Sequence, residues 1–450
     1  MIQKLLHARS AGIGSAALIL GVSALASRVL AVFRDRLLAG TFGAGQELDI
    51  YFAAFRVPDF LYAILVLWGA SAVFLPLFSK YMEESKEKAW RFACNLLNAY
   101  ILAFGAIAVI AALIMPVLVD LAVPGFSLEA KEAAVALSRV MLLSPLVFAV
   151  SSVAAGVLQY SRKFIAVALA PVLYNAGIIA GVVFFVPVFG IMGLAYGVVF
   201  GALLHACIHL PSLISSGFRW RPLFLPVEEG VKRAFLLSIP RTIGGGAHHI
   251  NLIVMTAFAS VLPAGSIAAF SFAENLQAFA IGSVGVPFAL SAFSVLSQSA
   301  ARQDMRAFHA AFSGTFFRVL LLTLPFALAA FFFKDVIVRL VLFSGSFSRE
   351  DAALVAGILG IFAAGMMFQS VVPLLVRAFF AVQNTVIPTI AGVLCALLNI
   401  ALVFVFLRAG LGVFGLPLAL VISGATQMVL LLSLFFLLFG SHSLLKPHAR

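Results

Sequence analysis

No charged residue interrupts TVIPTIAGVLCALLNIALVFVFL at positions 385–407. Its length suits the roughly 20 apolar residues that an α-helix needs to cross the hydrocarbon core of a bilayer. Similar runs recur along all 450 residues, of which 63% are hydrophobic and 10% charged, whereas a soluble domain carries about 25% charged residues. Because the runs are continuous rather than alternating, they predict an all-α polytopic membrane protein and not a β-barrel.

Hydropathy and the breaks between apolar runs predict twelve spanning helices. They are placed near residues 11–37, 50–79, 90–120, 131–159, 164–187, 190–215, 231–262, 265–299, 307–333, 351–382, 385–408 and 411–439. Lysine and arginine concentrate in alternate loops and at both ends of the chain, which predicts that both termini are cytoplasmic. The net charge of +12 is then a topology signal with attraction to anionic lipids, and it predicts no nucleic-acid partner.

The chain resembles itself at half length. The sequence FGIMGLAYGVVF at 189–200 is echoed by LGVFGLPLALVI at 411–422, so that Gly190 and Gly193 match Gly412 and Gly415. Internal repeats are typical of transporters, in which two similar bundles enclose a site. We therefore predict two pseudo-symmetric six-helix lobes around a central cavity, residues 1–217 and 231–450, joined by a basic cytoplasmic connector at 218–230.

The sequence offers no candidate for catalysis, for a cofactor or for a metal. No motif for catalysis or cofactor binding occurs in a suitable sequence context. The motifs sought were a nucleophile elbow, a Walker loop, HExxH and a dinucleotide-binding pattern. His248 and His249 are adjacent and point about 100° apart on a helix, which does not suit one metal ion. Ionisable groups inside apolar helices are more informative, because each costs at least ~2.5–3.5 kcal/mol near the bilayer centre and faces a wet cavity or a partner.

Two such groups lie in the first predicted span, SRVLAVFRDRL at 27–37. Arg28 and Arg34 are six residues apart, which places them about 120° apart on neighbouring faces of one helix, so that both could line one cavity. Asp35 and Arg36 lie nearer the membrane edge and could equally reach the interface.

The second predicted span opens with DIYFAAFRVPDF at 49–60. Asp49 and Arg56 lie on one face, two turns apart, where a structural ion pair is an alternative to a binding role. A guanidinium is always charged and binds phosphate through two hydrogen bonds. A cavity lined by Arg28, Arg34 and Arg56 would therefore suit a pyrophosphate.

A lone carboxylate lies in the eighth predicted span, SFAENLQAF at 271–279. Glu274, beside Asn275, is a candidate for proton or sodium coupling, and pairing with a cavity arginine is the alternative.

The stretch SRVLAVFRDRLLAGTFGAGQELDIYFAAFRVPDFL at 27–61 resembles the opening of the MurJ (MviN) lipid II flippase family. This family belongs to the multidrug/oligosaccharidyl-lipid/polysaccharide (MOP) exporter superfamily. The likeness continues in FIAVALAPVLYNAGII at 164–179, IPRTIGGGAHHINLIVMTAFASVL at 239–262 and LLVRAFFAVQNTVIPT at 374–389. The resemblance thus spans nearly the whole chain.

The resemblance implies a two-lobed bundle of the bacterial cytoplasmic membrane that moves lipid-linked peptidoglycan precursor to the outer leaflet by alternating access. Arg28, Arg34 and Asp49 match cavity residues of the family, and Arg56 stands where the family has a basic residue. Asn275 replaces a family arginine, and the family's usual fourteen helices exceed the twelve predicted here. The implied partners are a lipid-linked pyrophosphate, membrane lipids and a coupling ion, sodium or proton.

Three alternatives stay open at this point. An exporter of another polyprenyl-linked oligosaccharide would keep the pyrophosphate arginines and change the residues that face the sugar. A drug/cation antiporter of the same fold would place carboxylates in its cavity. A membrane-embedded glycosyltransferase or scaffold would show acidic or metal-binding motifs in its outside loops.

Overall fold

The computed structural model describes residues 13–68, 74–221 and 229–439. Within these ranges every regular element is a helix, so the predicted all-α class is confirmed. The chain divides into two compact units, Met1–Val261 with Ser344–Ser346, and Leu262–Phe343 with Phe347–Arg450. The predicted lobe boundary at 218–230 came from the sequence repeat and stays a prediction, and residues 222–228 of this connector lie outside the described ranges.

The first unit contains twelve described α-helices and a π-helical segment, Gly181–Phe185. The helices are α1 Ile13–Phe42, α2 Gln46–Trp68, α3 Leu75–Glu84, α4 Lys86–Leu113, α5 Met115–Ala122, α6 Leu128–Met141, α7 Leu143–Tyr160, α8 Phe164–Ala180, α9 Val186–Phe189, α10 Met192–Cys207, α11 Leu210–Ile214 and α12 Glu229–Ser260. Its aromatic core stacks Phe74 on Phe78 and Phe92, with ring centroids 5.0 and 5.7 Å apart.

The second unit contains seven described α-helices and a 3₁₀ turn, Gly412–Phe414. The helices are α13 Ser266–Ser283, α14 Gly285–Ala301, α15 Met305–Phe332, α16 Lys334–Leu342, α17 Arg349–Ala381, α18 Val386–Arg408 and α19 Gly415–Phe439. In its core Phe312 of α15 stacks on Phe435 of α19 with ring centroids 4.1 Å apart.

Several helices begin where a side chain can satisfy their first free N–H groups. Ser85 accepts a hydrogen bond from the Lys88 N–H at the start of α4, and Asp304 accepts one at the start of α15. Ser348 and Asp351 form a reciprocal capping box at the start of α17. Each such cap stabilises a helix by about 1 kcal/mol, and these three fall at polar segments between apolar runs.

Nine helical segments among the described residues are long and apolar enough to cross a membrane. They are Lys86–Leu113, Leu128–Tyr160, Phe164–Phe189, Met192–Ile214, Ser266–Ala301, Met305–Phe332, Arg349–Ala381, Val386–Arg408 and Gly412–Phe439. Each overlaps one predicted span, and α1, α2 and α12 lie at the three remaining positions. The count of twelve spans stays a prediction.

One predicted span is divided in the structure, and another includes residues outside the described ranges. The predicted span 50–79 includes α2, up to Trp68, and α3, from Leu75, and residues 69–73 between them lie outside the described ranges. The predicted span 90–120 breaks at Ile114, and α5 follows with a proline in its first turn. Proline lacks an N–H and is tolerated in a first turn but not in a continuous helix, which is why a hydropathy average does not detect this break.

Large apolar side chains cover the outer faces of both units. Leu113 is 74% exposed in the first, and Leu321 and Leu340 are 69% and 77% exposed in the second. Soluble monomers rarely expose contiguous apolar patches beyond a few hundred Å². These faces are suited to lipid rather than to water.

The repeat seen in the sequence has a counterpart in backbone conformation. Gly190 and Gly412 both have a positive φ, at +57° and +55°, directly before the helices that begin near Gly193 and Gly415. This region of φ favours glycine because it has no Cβ. The matching glycines thus make the same turn in each unit.

The preceding helix ends also match. Arg162 and Gln383 adopt left-handed φ values of 58° and 61°. In both turns the next N–H donates to the carbonyl five residues earlier, at 2.9 Å for Lys163 and 3.0 Å for Asn384. This is the Schellman termination, which closes a helix by satisfying its last carbonyls.

Glycines allow α8 and α10 to pack backbone against backbone. A Cβ placed on Gly177 would lie 2.2 Å from the Cα of Gly201, and one on Gly181 would lie 2.5 Å from the Cα of Gly197. Spacing of small residues by four is a common way for membrane helices to approach closely. This contact fixes the position of α8, which carries part of the site described next.

Candidate substrate-binding site

The guanidinium of Arg34 on α1 is held by two polar side chains. It donates from Nε and Nη2 to Oδ1 of Asp35, at 3.0 and 2.7 Å, and from Nη1 to Oδ1 of Asn175 on α8, at 3.2 Å. Asp35 is only 5% exposed and lies inside the first unit, and the interpretation that Asp35 and Arg36 reach the membrane interface stays a prediction. A buried carboxylate requires a partner, and Arg34 supplies it.

Asn175 is itself fixed between α1 and α8. Its Nδ2 donates to Oγ of Ser27 at 3.1 Å and to the carbonyl of Pro171 at 3.1 Å. Because both amide hydrogens face these acceptors, the amide oxygen is the atom directed at Arg34. Asn175 therefore orients the guanidinium from a second helix.

Two donors of Arg34 stay available for a ligand. A guanidinium has five N–H groups, and three are used by Asp35 and Asn175. Within the described ranges no protein group accepts from the other two, one on each terminal nitrogen. A pair of N–H groups on adjacent nitrogens is the arrangement that binds a phosphate through two hydrogen bonds.

Tyrosine rings link Arg34 to the second helix. Tyr51 of α2 and Tyr174 of α8 lie near the guanidinium, and Asp59 of α2 lies near both of them. Tyr51 is 2% exposed, so it lies in the interior of the first unit. The structure thus brings α1, α2 and α8 together at one polar site within the first unit.

Arg56 contacts Thr256 and not the carboxylates that the alternative interpretation, a structural ion pair, would require. Its Nε donates to Oγ1 of Thr256 on α12 at 2.7 Å, and Thr256 donates in turn to the carbonyl of Leu252 at 2.9 Å. The hydrogen bond goes to this hydroxyl rather than to Asp49 or Asp59 of its own helix. Arg56 therefore joins α2 to α12 inside the first unit.

Replacing Thr256 by valine is expected to destabilise the first unit by about 1–3 kcal/mol, because the isosteric change leaves a charged donor without its acceptor. The thermal midpoint of the detergent-solubilised protein measures this effect. Thr323→Val is the matched control, since the buried Thr323 hydroxyl has no hydrogen-bond partner among the described residues, and it should be neutral or stabilising. Equal midpoints for the two variants would contradict the role of Thr256.

Arg28 and Asp49 occupy positions consistent with either of their interpretations. Arg28 is half-buried on α1, one residue after Ser27. Asp49 is 3% exposed in the first turn of α2, where a negative charge is favoured by the helix dipole. Their roles in substrate binding stay predictions.

Glu274 and Asn275 lie on α13 in the second unit. Both are half-buried, and no hydrogen bond or ion pair joins Glu274 to another described residue. Nearby, Nε2 of Gln277 donates to Oε1 of Gln369 on α17 at 3.0 Å. Glu274 is thus a carboxylate at the edge of a polar contact between two helices, and its part in coupling stays a prediction.

Two residues of the site were missed by sequence reasoning, namely Asn175 and Thr256. Each is an uncharged polar residue within a predicted span, and each proves to be the partner of a predicted arginine. Such residues are expensive in a membrane unless they are bonded, which is the signal that could have identified them. Nothing in the sequence says which arginine each one meets.

Proteins of similar sequence are described as lipid II flippases. Residues 38–438 match the family model described as lipid II flippase MurJ. A probable lipid II flippase MurJ of Rhizobium tropici is 29% identical over 395 residues, covering 85% of this chain and 73% of that protein. The lipid II flippase MurJ of Burkholderia cenocepacia is 27% identical over 376 residues, covering 81% and 72%.

Solved structures agree with this match. A lipid II flippase MurJ in an inward-closed conformation has a TM-score of 0.79 at 26% identity, covering 92% of this chain and 87% of that one. An inward-facing MATE multidrug resistance transporter of the MOP superfamily has a TM-score of 0.76 at 17% identity, covering 94% and 96%, which shows a shared fold alone. Because the family model covers well over half of its length, the chain belongs to the lipid II flippase MurJ family.

Proposed function

We propose that this protein moves lipid II, the undecaprenyl-pyrophosphate-linked precursor of peptidoglycan, from the inner to the outer leaflet of the bacterial cytoplasmic membrane. The observation that carries the proposal is the family match over residues 38–438. The half-buried Arg34, with two N–H donors left for a ligand, supports it chemically. This movement delivers the precursor to the side of the membrane on which the cell wall is synthesised.

In the proposed mechanism the pyrophosphate is bound by arginine side chains. Arg34 offers a fork of two N–H groups, and Arg28 and Arg56 add positive charge from α1 and α2. Asp35, Asn175 and Thr256 position guanidinium groups by hydrogen bonds. The negative charge of Asp49, at the start of α2, would repel a misplaced phosphate or attract a nearby arginine. A fixed guanidinium loses little entropy on binding, which favours tight capture.

The proposed cycle is alternating access without a chemical step on the substrate. Lipid II enters a state open to the cytoplasm and leaves from a state open to the outside. No ATP-binding motif is present in the sequence, so we propose that an ion gradient or the membrane potential drives the cycle. The potential contributes about 2.3 kcal/mol per charge per 100 mV. Glu274 is the proposed coupling carboxylate, and it could bind sodium or a proton.

The proposed orientation places both termini in the cytoplasm. It rests on the loops rich in lysine and arginine, among them the exposed Lys86, Lys88 and Arg91 near the start of α4. Residues 1–12 and 440–450, which include the two ends of the chain, lie outside the described ranges. Cysteine labelling of single loop positions from either side of the membrane tests the orientation.

The function is tested in bacteria depleted of their own lipid II flippase. We expect the wild-type chain to restore growth and to return lipid II to the outer leaflet, measured by its accessibility to an externally added probe. Purified protein in liposomes should move lipid II faster than a polyprenyl pyrophosphate that carries another oligosaccharide. Protein that reaches the membrane but restores neither growth nor lipid II export would overturn the proposal.

A further inference from the structure

Two histidines in the first unit share one serine hydroxyl. Oγ of Ser151 on α7 lies 2.8 Å from Nδ1 of His205 and 2.9 Å from Nδ1 of His209. His205 is in the last turn of α10, and His209 lies between α10 and α11. Their ring centroids are 5.5 Å apart. Both distances are within the range for direct proton transfer.

The proton inventory of this group allows the two rings to adopt different tautomers. One hydroxyl has a single proton to donate, and it can accept from a neighbouring N–H. When both rings are neutral, one ring carries its proton on Nδ1 and donates to Oγ, while the other accepts from Oγ at Nδ1. The three side chains therefore form a continuous chain of hydrogen bonds with a defined direction.

The two ends of this chain differ in access. His209 is 1% exposed, and its Nε2 is buried without a hydrogen-bond partner among the described residues. His205 is half-buried. A buried ring nitrogen without a hydrogen-bond partner lowers the stability of the fold, and a functional role is one explanation for such an atom. The His209 end of the group is therefore enclosed in this conformation, whereas part of the His205 ring lies at the surface of the unit.

The histidine pair is linked to the polar site by one aromatic ring. Phe148 contacts His205, Tyr62 and Tyr174, with ring centroids 5.0, 4.8 and 5.2 Å apart. Tyr174 precedes Asn175, which holds Arg34. A change of charge on the histidines can therefore act on the arginine site through packed side chains.

A buried lysine, Lys163, lies at α11, the helix that follows His209. Lys163 donates to the carbonyl of Ser212 at 3.1 Å and to the hydroxyls of Ser215 and Ser216 at 2.7 and 2.9 Å. It is therefore committed to the end of α11. No carboxylate hydrogen-bonds to Ser151, His205 or His209 within the described part of the chain. A proton that enters the pair is therefore not held there by a hydrogen-bonded carboxylate.

We propose that Ser151, His205 and His209 form a proton relay that couples a proton gradient to transport, an inference that rests on the proposed function. A proton binds Nε2 of His209, the Nδ1 proton of His209 passes to Oγ, the Oγ proton passes to Nδ1 of His205, and the Nε2 proton of His205 is released. One proton enters and one leaves, and both rings finish as the opposite neutral tautomer. The pair selects the proton, because a chain of hydrogen bonds does not carry sodium.

The test uses the full chain in liposomes that contain lipid II and an internal pH-sensitive dye. We expect wild-type protein to move protons as it moves lipid II, and Ser151→Ala to lower the coupled proton flux at least about tenfold. Ser152→Ala is the matched control, since the Ser152 hydroxyl donates only to the carbonyl of Ala149 at 2.8 Å, and it should behave as wild type. Native mass spectrometry should show lipid II bound equally to both variants, which separates loss of the relay from loss of folding.

Lipid II movement without proton movement in wild-type protein, or undiminished proton flux in Ser151→Ala, would overturn the relay and leave the proposed function intact. If wild-type protein moves no lipid II, the proposed function fails, and the relay is tested separately by ¹⁵N spectra of histidine-labelled protein in bilayers. We expect one Nδ1–H and one Nε2–H ring for His205 and His209, lost in Ser151→Ala. Two Nε2–H rings in wild-type protein would refute the relay.

Discussion

Replacing Arg34 by alanine is expected to lower lipid II translocation at least about thirtyfold, because a bound pyrophosphate that loses its charged, hydrogen-bonding partner at a half-buried site is destabilised by about 2–5 kcal/mol. The change removes the three hydrogen bonds to Asp35 and Asn175 and the two N–H groups left for the pyrophosphate. Transport into the outer leaflet of liposomes and growth of flippase-depleted cells both measure it.

Loss of folding must be separated from loss of binding in this variant. Arg34→Ala leaves the carboxylate of Asp35 buried without its ion pair, which is itself destabilising. The double variant Arg34→Met with Asp35→Asn removes both charges and should fold more stably than Arg34→Ala, yet should remain inactive. Arg34→Lys keeps the charge but not the planar fork, and it should have intermediate activity.

Arg302→Ala is the matched control for a lost arginine, because Arg302 is exposed at the end of α14. It should translocate lipid II at the wild-type rate. Wild-type activity in the folded double variant would show that the guanidinium of Arg34 does not hold the substrate, and the proposed pyrophosphate site would then be wrong.

The sequence was sufficient to predict the all-α architecture, because few backbone conformations satisfy their own hydrogen bonds in hydrocarbon. A run such as 385–407 can satisfy its backbone in lipid only as a helix, and α18 lies there as expected. Divisions such as the break at Ile114 were missed, because apolar residues continue through it and hydropathy does not change.

The site was predicted only in part. Arg34 was identified because an arginine inside an apolar helix is costly in a membrane and indicates a functional role. Its partners are brought to it by tertiary packing. Asn175 follows it by 141 positions and Thr256 follows Arg56 by 200. A contact at such a separation has no periodic signature along the chain, and only the packing of α8 and α12 on the first two helices reveals it.

Replacing Gly177 by valine is expected to prevent α8 and α10 from packing, the largest effect on stability that we predict. Even the Cβ of an alanine at this position would lie 2.2 Å from the Cα of Gly201, which is backbone and cannot rotate away. Overpacking costs about 1–3 kcal/mol for small additions, so Gly177→Ala should lower the thermal midpoint, and Gly177→Val should yield no monodisperse protein in size-exclusion chromatography.

This contact also decides the fate of the arginine site, since Asn175 lies only two residues before Gly177 on α8. A displaced α8 would withdraw the amide oxygen from Arg34, so Gly177→Ala should lose transport in proportion to its loss of stability. Gly314→Ala on α15 is the matched control, because no atom lies within 4 Å of its added Cβ, and alanine favours a helix over glycine by up to about 1 kcal/mol. Equal stability of Gly177→Ala and Gly314→Ala would mean that the close approach of α8 and α10 does not hold this part of the first unit together.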